Sequence, residues 1–131
     1  MVLKIGGYMS ISKVKGAFIG PALKIPKRAN SKVREALRAL GSTGLEVCNA
    51  RKTDNGQSVL ALAFKDGGLA SVRKETPSKV PFLDSSFYFG KSPLAALKDL
   101  LKRVSGQEVA HHSDILAQKG TVKVPVLDLT A

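Results

Sequence analysis

LEVCNARKTDNGQSVLALAFKDGGLASVRKE, residues Leu45–Glu75, is the stretch that decides the fold. Two triplets punctuate it, Asp54-Asn55-Gly56 and Asp66-Gly67-Gly68. Asn and Gly accept the positive φ that tight hairpin turns require, so each triplet reads as a chain reversal. Runs of strand length lie around them, at 45–52, 58–65 and 69–75. In the middle run Leu60, Leu62 and Phe64 share one face. These signals predict an antiparallel meander of three strands.

A helix stands on each side of this meander. Asn30 or Ser31 caps the first, and Val33, Ala36, Leu37 and Leu40 recur at helical spacing before Gly41 stops it. The second opens at Ser92-Pro93, where Ser supplies the cap and Pro is preorganised for the first turn. Its apolar side holds Leu94, Leu97, Leu100, Leu101 and Val104, and Lys98, Asp99, Lys102 and Arg103 share the other. Thr76–Pro81 reads as a loop, 86–89 as a short aromatic strand and 113–118 as a short helical turn. Residues 121–129 alternate as a strand, and Pro125 confines it to an edge or to pairing with a neighbouring chain. Residues 8–30 hold Gly16, Gly20, Pro21 and Pro26 and read as an extended arm. The expectation is therefore an α+β fold: a three- to four-stranded antiparallel meander packed with two amphipathic helices, a basic N-terminal arm over 1–30, and a single domain over 31–131 that ends in an edge strand.

Charge is the unusual part of the composition. Among 131 residues there are 21 Lys and Arg against 10 Asp and Glu, a formal charge of +11. Eight cations (Lys4, Lys13, Lys15, Lys24, Lys27, Arg28, Lys32 and Arg34) precede the first acid, Glu35. A basic arm of this kind favours a polyanionic partner. The lone Cys48 cannot form an internal bridge and fits a reducing compartment, where it reads as a packed thiol. No apolar run approaches the ~20 residues needed to span a bilayer, and no secretory signal is evident, so a membrane partner is not expected and the cytoplasm is the default location. Met9 is an alternative start, which would make residues 1–8 an upstream extension.

Few motifs carry chemistry. Gly90-Lys91-Ser92 follows a strand and opens a helix, as the end of a P-loop does, but Ser85 replaces its first glycine and bulky Phe87, Tyr88 and Phe89 intervene. A single phosphate contact through Lys91 and the helix start survives that test. Four of the seven aromatics, Phe82, Phe87, Tyr88 and Phe89, fall within eight residues. Strand alternation is read as placing Phe87 and Phe89 in the core and Tyr88 outside, where its ring can stack on a base. Arg34 and Arg38 extend the basic patch onto the first helix. His111 and His112 are adjacent and read as surface residues, and no zinc spacing or paired carboxylate stands out.

Residues 31–104 run helix, three strands, helix, which resembles the order of double-stranded RNA-binding domains. In that family a glycine and lysines at the start of the second helix meet phosphates, and Gly90-Lys91-Ser92 is similar in position, although Pro93 and Leu94 stand where paired lysines would follow. Counting the aromatic strand gives four strands and a helix, similar to dimeric transcription-coactivator-type single-strand binders. Both resemblances imply nucleic acid as the partner.

The leading expectation is a non-enzymatic nucleic-acid-binding protein of low sequence specificity, without a cofactor. Lys13, Lys15, Lys24, Lys27, Arg28, Lys32, Arg34, Arg38 and Lys91 would hold phosphates, and Tyr88 would stack. A homodimer is expected, because the arm and the last strand are both candidates for exchange. One rival is an inhibitor, adaptor or assembly subunit for an acidic protein. The other is an enzyme whose site converges from separate segments.

Overall fold

The computed structural model describes residues 20–75, 81–83, 86–113 and 120–129. Lys13, Lys15, residues 76–80 of the loop expected at Thr76–Pro81 and most of the helical turn expected at 113–118 lie outside the described residues. Pro81 itself pairs with Glu75 as the start of a strand, because a proline at a sheet edge need not donate.

The first hairpin forms as its turn chemistry dictates. Strand β1 (Leu45–Lys52) pairs antiparallel with β2 (Ser58–Phe64), with an irregularity between Asn49 and Arg51. Gly56 sits at φ 86°, and the Thr53 hydroxyl accepts from the Gln57 amide at 3.0 Å to close the turn. All seven residues of β2 are buried. Leu60, Leu62 and Phe64 meet the main core on one face, and Val59, Ala61 and Ala63 are buried on the other.

The expected meander does not continue. Gly67 and Gly68, at φ 117° and 94°, turn the chain so sharply that only Ala63 and Leu69 bridge across it. Strand β3 (Ala70–Glu75) then leaves for a second sheet. The vacated edge of β2 is taken by the aromatic strand β5 (Phe87–Gly90), in the register Leu60↔Tyr88. One sheet therefore has the order β1-β2-β5. The other has the order β4-β3-β6-β7, with β4 at Pro81–Leu83, β6 at Glu108–His111 and β7 at Val122–Lys123. The strand expected at 121–129 pairs only at its start, and it lies at an edge. There the Pro125 carbonyl accepts from the Gly106 amide at 3.2 Å, a bond that needs no proline N–H.

Both helices form where their caps predict. Asn30 accepts from the Val33 amide at 3.0 Å to open α1 (Ser31–Ser42). Ser92 accepts from the Ala95 amide at 3.1 Å to open α2 (Pro93–Val104). The first helix packs on β1, and the second on β2 and β5. Leu97, Leu100, Leu101 and Val104 of α2 are fully buried, each contributing about 1.5–3 kcal/mol by leaving water. No described helix is long and apolar enough to cross a membrane.

The described part of the arm belongs to this fold. Ala22 bridges Cys48, the Leu23 amide donates to Val47 at 2.8 Å, and the Asn49 amide donates to Pro21 at 3.0 Å. Residues 20–23 thus line the outer edge of β1, and Ala29 is buried in the core.

Gly90 is the tightest joint. A Cβ there would press into the backbone of Ala95 and Ala96, which rigid helical atoms cannot relieve. Gly90→Ala is expected to lower stability by about 1–3 kcal/mol, as overpacking does, read as a reduced denaturation midpoint at unchanged slope. An unchanged midpoint would show that α2 does not rest on β5 in this way.

Candidate nucleic-acid interface

Between residues 24 and 38 six cations, Lys24, Lys27, Arg28, Lys32, Arg34 and Arg38, stand against the single acid Glu35. The fold gives this stretch a defined shape. The Ala29 amide donates to Pro26 at 3.0 Å, closing a turn that projects exposed Lys27 and Arg28. Arg34 reaches back from α1, donating through Nε to the Ala29 carbonyl at 3.1 Å and through Nη2 to the Pro26 carbonyl at 3.5 Å. Those acceptors are neutral, so the guanidinium fixes the turn through bonds that do not cancel its positive charge. Arg38 is exposed one helical turn further on.

Lys32 is the exception. Its Nζ lies 2.6 Å from Asp128 Oδ2, and this hydrogen bond and charge raise its pKa above the ordinary 10.5. The sign follows from linkage: the pair supports the fold at neutral pH and releases it as pH climbs past the raised lysine value. Asp128 therefore cancels one cation of the shoulder.

The tail that carries Asp128 also joins the two helices. The Leu127 amide donates to Ser105 Oγ at 2.7 Å, just beyond α2, and the next residue holds Lys32 in the first turn of α1. The tail thereby links the start of α1 to the end of α2, where Lys102 is exposed and Arg103 pairs with Asp99 at 3.2 Å. Lys91 is not part of this cluster. It lies at the other end of α2, about 18 Å away along a twelve-residue helix.

The aromatic strand presents the opposite faces from those expected. Tyr88 is 2% exposed and joins the core, whereas Phe89 is 49% exposed and Phe87 half-buried. Alternation sets Tyr88 against its neighbours, but the pairing Leu60↔Tyr88 decides which side faces the helices. A base cannot stack on Tyr88 where it lies, and the exposed ring is Phe89.

The histidines form contacts that sequence spacing does not reveal. His111 stacks on Phe64 with ring centroids 3.9 Å apart. His112 Nδ1 lies 2.7 Å from Ser71 Oγ and 3.2 Å from Ser86 Oγ, and the two hydroxyls are 2.6 Å apart. Ser71 and Ser86 are essentially buried, at 0% and 1% exposure. The arrangement in which Ser71 donates to Nδ1 and Ser86 to Ser71 uses both hydroxyl protons. These residues lie 41 and 26 positions from His112, so no local motif marks them. A nucleophile sealed at Ser71 is out of reach of substrate, and the cluster instead ties β3 and the start of β5 to the residue after β6. Cys48 is buried, as expected of a packed thiol.

Two concavities are lined by described residues. One of about 230 Å³ lies between Leu23, Ile25, Leu37 and Val47, and one of about 290 Å³ lies beside Glu46, Cys48 and Phe64. In the second the Cys48 thiol donates to Glu46 Oε2 at 3.9 Å, and Lys65 is also in the lining. Among the described residues no three His, Cys, Asp or Glu side chains group as metal ligands. Comparison with protein-family models, curated proteins and solved structures finds no match for this chain.

Ser71→Ala removes the central hydroxyl of the cluster. It is expected to cost about 1–3 kcal/mol of stability, the penalty of an incompletely satisfied buried group. Thermal and chemical denaturation would measure this. A neutral effect would show that Ser86 and His112 satisfy each other without it.

Proposed function

We propose that this protein binds nucleic acid without catalysis and with low sequence specificity, through the shoulder formed by the 26–29 turn, α1 and the end of α2. The observation that carries this reading is the shoulder itself. Lys24, Lys27, Arg28, Arg34 and Arg38 are exposed within one short stretch, and Lys102 is exposed near the end of α2, which the C-terminal tail ties to α1. Cations on a held backbone suit a phosphate chain, because binding releases condensed counterions while little of the protein must be ordered. Phosphate contacts position the partner and carry no sequence information. Lys13 and Lys15 add two further cations ahead of this stretch in the sequence, a cytoplasmic location fits the lone thiol, and a homodimer would double the contact area.

A salt series tests the reading. Replacing Lys27, Arg28 and Arg38 together by Gln should weaken binding and flatten the plot of log K against log[salt] by about 2–3. Asp128→Asn should do the reverse, because it frees Lys32 and steepens the slope by about one. Absence of binding to single- and double-stranded DNA and RNA at low salt would overturn the proposal. Salt-dependent capture of an acidic protein in its place would favour an adaptor or inhibitor.

A further inference from the structure

The sheet β1-β2-β5 ends in a second exposed cationic patch, with an aromatic ring in its midst. The register places Arg51, Val59 and Phe89 in one cross-strand row. Residues directly opposite one another share a face, so Arg51 and Phe89 flank Val59 on the side turned away from Leu60 and Tyr88. Two strand spacings, about 10 Å, separate them. The next row runs Lys52, Ser58, Gly90, and Lys91 follows at once. Arg51, Lys52 and Lys91 are all exposed, and among the described residues none has an acidic partner. The nearest acid in sequence is Asp54, in the hairpin turn.

We infer that Phe89 is a stacking platform for an unpaired nucleobase, with Arg51, Lys52 and Lys91 holding the phosphates on either side of it. Three observations converge on this occupant. Phe89 is exposed at 49%, whereas Phe64 is buried and Phe87 half-buried. The cations around it match a polyanionic chain in sign. Arg51 stands across the sheet from Phe89 in the same row, and Lys91 follows Phe89 by two residues, just past the end of β5, so cations stand on two sides of the ring. The helix cap takes no part, because the Ser92 hydroxyl already accepts from Ala95. A duplex buries its base faces against one another, whereas a single strand offers them, so this patch selects for single strands. The inference rests on the nucleic-acid reading above and adds to it the form of the partner.

The test compares full-length wild type, Phe89→Ala and Phe89→Tyr. The probes are a short unstructured oligothymidylate, a duplex of equal length, and the same single strand with a central 2-aminopurine. Phe89→Ala is expected to weaken single-strand binding about 5- to 100-fold, to leave duplex binding and melting temperature unchanged, and to abolish quenching of the 2-aminopurine. Phe89→Tyr keeps a ring at the surface and should retain binding and quenching. If wild type binds both probes and Phe89→Ala binds them equally well, the stacking site is wrong while the shoulder stands. If wild type binds neither probe, both readings fall. An equal loss on single strand and duplex would also overturn the stacking site.

Discussion

The structure depends on β2. It is buried at every position, and both of its edges are occupied. Its Leu60, Leu62 and Phe64 form the floor of the main core, and its alternate residues Val59, Ala61 and Ala63 are buried behind them. A slip of one residue would exchange these two sets and put alanines beneath the helices. The hairpin turn at Asp54-Asn55-Gly56 guards against that slip by fixing the register with β1. The other edge is shared, with its first residues going to β5 and Ala63 bridging Leu69. Once β5 is in place, the short link through Lys91 and Ser92 sets α2 over β2 and β5, and Gly90 lets the helix approach closely.

The same packing organises the charge. Fifteen of the 21 basic residues are lysines, which bring no fixed geometry of their own, since lysine stems are flexible and well hydrated. The shoulder becomes a surface because neutral groups hold its backbone. These are the Asn30 cap, the Arg34 bonds to two carbonyls, the buried Ala29 and the residues 20–23 aligned along β1. The C-terminal tail contributes twice, by docking the end of α2 at Ser105 and by setting Asp128 on Lys32. An acid at that point moderates a patch that would otherwise repel itself. A functional reading that treats the cations as a loose appendage therefore misses their scaffold, at least for residues 24–38.

Much of the fold was legible because local chemistry dictates it. Both helices begin at the side chains that cap them, and the two glycine-rich turns fall where they are read. The meander failed at its third strand, and with it the topology behind the likeness to double-stranded RNA-binding domains. A turn signal marks a reversal but not whether the next strand stays beside the last. Here a later strand with three aromatics outcompetes β3 for the edge of β2, and that competition spans about twenty residues of chain. The candidate site divides in the same way. Lys27, Arg28, Arg34 and Arg38 are exposed as the charge run suggests, but the neutralisation of Lys32 comes from a partner 96 residues away. Tyr88 and Phe89 exchanged their expected places.

From the amino-acid sequence alone come the segments, their caps, the α+β class and the concentration of positive charge before Glu35. Each depends on residues within a turn or two of one another. Tertiary structure alone decided which strands are neighbours, which face of Phe87–Gly90 turns inward, which lysine is neutralised, and that Ser71, Ser86 and His112 meet. Those outcomes depend on competition among distant segments for one shared surface, the edges and faces of β2, and local pattern carries no record of who wins it.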